Sequence, residues 1–452
     1  MKKSVFAAAS MVMLPFCCVF GAASFENVII RQQWPWNTDV TIDFDLVSPI
    51  GERNDVYVQI SAGDEKLDVL ANSFSGEMDS LGCGQHRIVW SPVKAGFPGD
   101  FAATQLKFTL SAKPAAPLYY VLDLSASNRT DAVYSLTAMD VPPAGGFNTD
   151  EYKQAKIAFR KVRAGSFMMG SSADEAGRID NEDLHKVILT NDFYLAIFET
   201  SQYQFYLAGT NSPSEHQYGG IGKLSRYAVV NTSYDMLRGL ESEGENWPAS
   251  SAVGPDSYIG HLRSRTKAGD ALPQGYVFDL PTEAQWEYAC RAGTTTAWNN
   301  GTDLVLYDTY GNETYGKGTS DEIYGQYSDA NLDKLGWYIS WGGKWMQGGV
   351  KLRCGNYEPN RWGFYDMHGN VAEMTLDGLE QEGVENDRLG TATAVEPRGG
   401  TLNKIHRVCR GGAWNLLPEK CRSASRASLV KRNVCNGYTG IGFRLAIVKE
   451  VK

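Results

Sequence analysis

The chain has 452 residues, too many for one ordinary domain, and its 43% hydrophobic and 21% charged content is that of packed globular protein. Twelve percent aromatics, with 11 Trp and 23 Tyr, excludes a disordered chain and suits packed sheets or an aromatic-lined groove. The net charge of −9 offers no attraction to phosphate backbones, and no long Lys/Arg cluster is present, which excludes nucleic acid as an expected partner.

The chain opens on a basic pair, Lys2 and Lys3, followed by an apolar run from Val5 to Phe20 and the small residues Gly21-Ala22-Ala23. This pattern predicts a signal peptide over residues 1–23 and a mature start at Ser24, so export to the periplasm or the extracellular space is expected. Removing Lys2 and Lys3 takes the net charge from −9 to −11. No later stretch approaches the roughly 18 uninterrupted apolar residues of a spanning helix, so no transmembrane segment is expected. Cys17 and Cys18 leave with the leader, and Cys83, Cys290, Cys354, Cys409, Cys421 and Cys435 remain. In an exported protein disulfides are the default reading of such cysteines. None shows the C-x-x-C spacing of a zinc site, and no H-E-x-x-H occurs.

Residues 24–138 read as strands. Val40, Ile42, Phe44 and Leu46 alternate with polar residues, as do Val56, Val58 and Ile60; "HRIVW", "QLKFTLSA" and "PLYYVLDLSA" follow, separated by turn clusters such as "SPIGERND". Short alternating strands at this spacing predict an antiparallel, immunoglobulin-like β-sandwich. The Pro- and Gly-rich stretch that begins at "MDVPPAGGFNTD" predicts a linker over 139–159.

The remainder has few long periodic segments. In "LPTEAQWEYACRAG", Thr282 and Gln285 have capping-box spacing, and Trp286, Ala289 and Cys290 share one face. Arg291 suits the last turn of that helix and Gly293 its stop. A shorter helix is expected in "PDSYIGHLRSRT". Trp337, Trp341 and Trp345 recur every four residues, read as loop packing ahead of a ligand groove. The acidic "DGLEQEGVENDR" reads as solvated surface. The chain closes on "GIGFRLAIV", where Ile441, Phe443, Leu445 and Ile447 alternate as a half-buried strand.

Four stretches in order, "GSFMMGSS" (165–172), "FDLPTEAQWEYACRAGT" (278–294), "PNRWGFYDMHGNVAEM" (359–374) and "RVCRGGAWN…CRSASR…GIGFRL" (407–445), resemble the formylglycine-generating enzyme, or sulfatase-modifying factor, family over residues 160–449. The resemblance implies an α+β fold, a variant of the C-type lectin fold with little regular secondary structure. It also implies an activity: oxidation of a sulfatase cysteine to formylglycine by oxygen at a copper(I) ion held between two cysteines, the first of which follows a "GGSY" element. A soft ion between two thiolates, with room for a substrate thiol, makes chemical sense of that arrangement.

Carried onto this chain, Gly411 and Gly412 match the two glycines, Ala413 stands for the serine and Trp414 for the aromatic residue. The first copper cysteine falls at Leu416, which cannot bind copper. Cys421 is the second copper cysteine in one register, and so the one catalytic candidate. In another register it is the disulfide partner of Cys290. Under either, the thiolate pair is broken. Where the family reads "GNVWEW", Ala372 and Met374 replace both tryptophans and thin an aromatic wall. The resemblance implies calcium at Asp366, Gly369, Val371 and Glu373, and a second calcium site beginning at Asn331 and Leu332. Substrate-binding candidates are Trp414, Asn415 and Arg426; Arg422 and Arg426 have internal ion pairs as their other reading. A disulfide among Cys354, Cys409 and Cys435 is expected, with the pairing open.

The expected function is therefore an exported, non-catalytic binding or scaffold protein on this domain, its partner a polypeptide such as a sulfatase. The alternative is a formylglycine-generating oxidase with rewired copper ligands. An iron relative would need H-x-x-x-H-x-E, which the chain lacks.

Overall fold

The computed structural model describes residues 23–125, 133–209, 226–266, 272–307, 313–314, 329–338, 352–378, 393–399, 406–426, 428–433 and 440–452. The leader, Trp341, Trp345, Cys435 and most of the acidic "DGLEQEGVENDR" stretch lie outside the described residues. The contacts divide the chain into two compact units, residues 1–118 and 119–452.

The first unit consists of β1 (Ser24–Gln32), β2 (Val40–Val47), β3 (Asn54–Ala62), β4 (Glu65–Leu67), β5 (Phe74–Gly76), β6 (Gly84–Trp90) and β7 (Leu106–Pro114). They form two antiparallel sheets, ordered β1-β2-β6-β5 and β4-β3-β7. The period of two in β2 buries Val40, Ile42, Phe44 and Leu46 and turns Asp43 outward, where Arg87 and Arg31 meet it. Ile88 and Trp90 of one sheet and Val56 and Ile60 of the other share a single core.

The second unit continues with β8 (Tyr119–Asp123), β9 (Ser135–Met139), β10 (Lys156–Val162), β11 (Gly165–Met169), β12 (His185–Leu189), β13 (Phe193–Ala196) and β14 (Tyr276–Asp279). After these come β15 (Leu306–Tyr307), β16 (Glu313–Thr314), β17 (Ala372–Met374), β18 (Ala394–Val395), β19 (His406–Arg410), β20 (Ser428–Lys431), β21 (Ile441–Gly442) and β22 (Ala446–Lys449). Its helices are short: α1 (Glu151–Gln154), α2 (Gln202–Leu207), α3 (Tyr234–Arg238), α4 (Tyr258–Arg265) and α5 (Glu283–Arg291). The largest sheet is antiparallel throughout, ordered β14-β22-β13-β10-β8-β9. Phe159, Tyr194, Phe205, Tyr258 and Phe443 pack in the core cluster to which this sheet contributes. The unit is mostly β with few helices.

Three expectations change. The sequence reading runs the front domain to residue 138, whereas β8 and β9 pair into the second unit's sheet, β8 against β10 over Tyr119–Asp123. The expected linker over 139–159 holds α1 and the start of β10. The closing "GIGFRLAIV" is two strands in two sheets, β21 beside β17 and β22 beside β13 and β14, and residues 440–448 are buried on both faces rather than one. Gly442 permits this: its Cα faces the Val229 carbonyl so closely that a Cβ would meet it.

Helix α5 keeps its expected capping box, with Thr282 N–H donating to Gln285 Oε1 (2.9 Å) and Gln285 N–H to Thr282 Oγ1 (3.2 Å). It stops where expected: Ala292 caps it in the left-handed region (φ 45°) and Gly293 follows at φ 90°. An amphipathic helix with one apolar face was expected, yet all nine residues are buried. The polar side is covered by arginines from the chain's C-terminal third. Arg426 clasps Glu283 through Nε (2.6 Å) and Nη2 (3.0 Å), Arg410 Nη2 meets Glu287, and Arg291 Nε reaches Glu287 at 2.8 Å.

Candidate functional site

Strand β19 delivers Arg410 and then the glycine turn that raised the question of catalysis. It pairs with β17, Glu373 facing Arg410 and Met374 facing Cys409. Gly411 (φ 90°) and Gly412 (φ 72°) are both in the left-handed region. A Cβ on Gly411 would come within 3.0 Å of Trp286 of α5, and one on Gly412 within 2.5 Å of Cys421 Sγ. The turn then sits on the 369–371 loop: Gly369 N–H donates to Gly411 O (2.7 Å) and Trp414 N–H to Asn370 O (2.9 Å).

The positions implied for the copper pair part company here. Leu416 is half-buried against the main core with Phe443, whereas Cys421 is fully buried in a separate cluster with Ala297, Trp298, Leu332 and Tyr338. Its thiol lies 3.7 Å from Leu417 O. Burial pushes the Cys421 thiol up, as it does those of Cys409 and Cys354.

The Cys290–Cys421 disulfide does not form; both are free thiols. Cys290 faces Ser423 Oγ (3.7 Å), Met367 O (3.8 Å) and His368 Nε2 (3.8 Å). The side chain opposite the helix cysteine is thus two residues beyond Cys421, so reading "CRSASR" by its cysteine chose the wrong position. Burial pushes the Cys290 thiol up to about 12. Cys354 and Cys409 are also free, and Cys83 is free and exposed.

Ala372 and Met374 line no groove. Both are buried in the main core, so the tryptophans they replace would point inward in this frame. Arg426, expected to reach a substrate, is 9% exposed and held by Glu283 and by Asn181 O (2.5 Å). Arg422 is likewise internal, on Glu182, Glu175 and Gly177 O. Trp414 is half-buried against the cluster containing Val371, with its indole nitrogen beside Gly440. Asn415 is half-buried. Asn331 opens a short 3-10 turn whose amide Asp329 caps (2.8 Å). Trp337 is half-buried and its carbonyl receives Asn370 N–H (2.7 Å).

The 366–373 loop is electrostatically dense. Asp366 Oδ2 accepts from Gly355 N–H (2.5 Å), and burial raises its carboxyl to about 6. Glu199 accepts from Val371 N–H (3.1 Å) and the Asn370 amide; burial, with Asp366 and Glu373 near it, pushes its carboxyl well up. Glu373 is taken by Arg444 and by Trp286 Nε1 (2.7 Å).

A model of the sulfatase-modifying factor enzyme 1-like domain matches residues 148–449, more than half of the chain. The chain belongs to the sulfatase-modifying factor family. It is similar to the formylglycine-generating enzyme of Mus musculus, 25% identical over 304 residues that cover 63% of this chain and 73% of that protein. It is also similar to the serine/threonine-protein kinase pkn1 of Chlamydia pneumoniae, 25% identical over 271 residues that cover 59% of this chain and 34% of that protein. Among solved structures, Treponema denticola variable protein 1 aligns with a TM-score of 0.44 at 19% identity, covering 65% of this chain and 95% of that one.

For the copper that the sulfatase-modifying factor family implies, the residues present do not fit. A hydrophobic side chain stands at one ligand position, and the thiol at the other is fully buried in a different apolar cluster. For calcium the loop offers a mixed donor set: both Glu373 oxygens are held by the Arg444 guanidinium, whereas Asp366 Oδ1 is buried with no hydrogen-bond partner. Among the described residues no three His, Cys, Asp or Glu side chains converge on one point.

Sequence reasoning missed His368, inside the quoted "DMHGN" stretch. It is fully buried, its Nδ1–H donates to Cys421 O (2.7 Å), and Nε2 accepts from Asn299 N–H (3.2 Å). Burial lowers it to about 4, so the ring is neutral and ties the 366–373 loop to Cys421, Asn299 and Trp298. The only signal was a histidine in an otherwise turn-forming run.

The thiols supply a direct check. Alkylation of the native protein, without reductant, is expected to label Cys83 and to spare Cys290, Cys354, Cys409 and Cys421, which react only after unfolding. Intact mass after denaturing alkylation counts them; a Cys290–Cys421 peptide surviving in non-reducing digests would restore the disulfide.

Proposed function

We propose that this protein is a non-catalytic, exported member of the sulfatase-modifying factor family that binds or scaffolds another polypeptide. The observation that carries the reading is the separation of Leu416 and Cys421 into two different core clusters around an intact Gly411-Gly412 turn. The frame of the site is kept while the soft-metal ligands are replaced by packing. Export rests on the leader pattern at residues 1–23. No described helix is long and apolar enough to cross a membrane. Ordered loops on a rigid frame suit recognition, and the half-buried Trp414 and Asn415 are the candidate contacts. We read the first unit, two antiparallel sheets on one core, as an immunoglobulin-like sandwich serving as a second recognition module.

Copper(I) titration of the purified mature protein against a chromophoric chelator tests the reading. No stoichiometric site able to outcompete the chelator is expected, because a buried thiol binds only after losing its proton. One equivalent bound tightly, and lost in Cys409→Ala or Cys435→Ala, would favour the rewired oxidase.

A further inference from the structure

The connection between β1 and β2, Gln33-Trp34-Pro35-Trp36-Asn37, carries two indoles that take no part in the core of the first unit. Trp36 is 88% exposed and Trp34 is 47% exposed, whereas Trp90 of the same unit is fully buried. A turn needs neither ring, and an indole left in water forgoes the stabilisation that burial would bring.

The tip is firmly built. Trp36 N–H (2.9 Å) and Asn37 N–H (3.0 Å) both donate to Gln33 O. Beneath them, Gln32 Nε2 donates to Thr38 O (2.7 Å) and Phe101 O (2.9 Å), and Gln32 Oε1 accepts Ala103 N–H (2.8 Å). Trp34 Nε1 donates to Asp100 O (2.9 Å). These bonds stitch the 33–39 connection to the 91–105 connection, whose Phe97 packs on Phe101 (ring centroids 4.4 Å) and on Trp90 (5.6 Å). Rings held this way lose little freedom on binding a ligand.

The surroundings narrow the ligand. Asp39, Lys94 and Asp100 are the ionisable residues of the two connections, a net charge of −1. They form no cationic cluster for phosphate or for an anionic lipid surface. Exposed Gln33 and Asn37 bring uncharged amides beside the rings. Asn37 Oδ1 accepts Asp39 N–H (2.9 Å), which leaves its amino group for a ligand. A flat apolar face with amides at its rim matches a pyranose ring, which has an apolar C–H face and hydroxyls around its edge.

We infer that the Trp34–Trp36 tip binds a neutral polysaccharide. Trp36 is the main platform for a sugar ring, Trp34 is its neighbour, and Gln33 and Asn37 hydrogen-bond the hydroxyls. This rests on reading the first unit as a recognition module and gives that module its ligand class.

The test is affinity electrophoresis of the full mature protein in native gels containing mixed-linkage β-glucan, xylan, glucomannan or amylose. Retardation is expected in at least one gel, with a blue shift of tryptophan emission when that polysaccharide is added. Trp36→Ala is expected to weaken binding about tenfold or more, the scale of a truncated aromatic hot spot, and Trp36→Tyr to keep part of it. Both variants should melt as the wild type does, because the ring lies outside the core. No retardation in any of the gels overturns the proposal, as does retardation that Trp36→Ala leaves unchanged. Should Trp36→Ala fail to fold, Gln33→Ala decides in its place by the same loss or persistence of retardation. Binding to phosphatidylcholine vesicles or to poly-L-proline that Trp36→Ala abolishes, with no retardation by polysaccharide, overturns the proposal but keeps the first unit a recognition module. Binding to none of these probes overturns the module reading with it.

Discussion

No aldehyde is expected when the mature protein, supplied with copper(I), oxygen and reductant, is incubated with a cysteine peptide derived from a sulfatase. Mass spectrometry of the peptide reads the result directly. The expectation does not rest on one missing residue. Leu416 packs into the main core, so restoring a cysteine there by mutation alone would give a thiol in an apolar environment rather than one aimed at a partner. Cys421 lies beneath Gly412 with its proton held by burial. Ala413, where the resemblance places a serine, brings no hydroxyl and is itself buried. Copper(I) favours thiolate ligands, and positions 416 and 421 offer it no thiolate pair. Formylglycine formed at turnover, and abolished in Cys409→Ala or Cys435→Ala, would reverse the conclusion.

The second large effect concerns stability. Glu287→Ala is expected to cost about 3–5 kcal/mol, the range for breaking a buried ion pair by removing one partner. Glu287 is 1% exposed, and its carboxylate holds Arg410, Arg291 and the Gly170 amide (2.9 Å). Truncation leaves two arginines inside the protein with their main counter-charge gone, while Glu283 still faces Arg426. Urea unfolding of wild type and variant measures the difference. Glu287→Gln should recover only part of it, because an amide keeps the hydrogen bonds to one side but not the charge. A loss below about 1 kcal/mol would mean that the network is solvated, contrary to its burial.

Much of the frame was legible in sequence because short-range rules build it. The alternation in β2 and the capping box of α5 need only neighbours a few residues apart. What escaped depends on partners far along the chain. Nothing in "WEYACR" says that its polar face will meet Arg410 and Arg426 more than a hundred residues later, so a helix buried all round looks amphipathic. The candidate site failed in the same way. Cys421 is the conspicuous letter in "CRSASR", but it is Ser423 that faces Cys290, and the choice between them depends on how the chain enters the 3-10 turn at Pro418–Cys421. Likewise nothing around Glu373 announces Arg444, which arrives beside it from seventy-one residues on.

The placement of β8 and β9 bears on how the protein can be divided. A fragment begun at residue 139, where the sequence grammar changes, would remove both strands from the large sheet and lay bare the edge of β10 opposite β13. That edge carries Ile157 and Phe159. Unpaired strands of this kind recruit other chains, so such a fragment would be a poor reagent whatever the true binding partner. A boundary before Tyr119 keeps the sheet whole, and binding lost by a fragment cut there would point to the first unit rather than to a damaged second one.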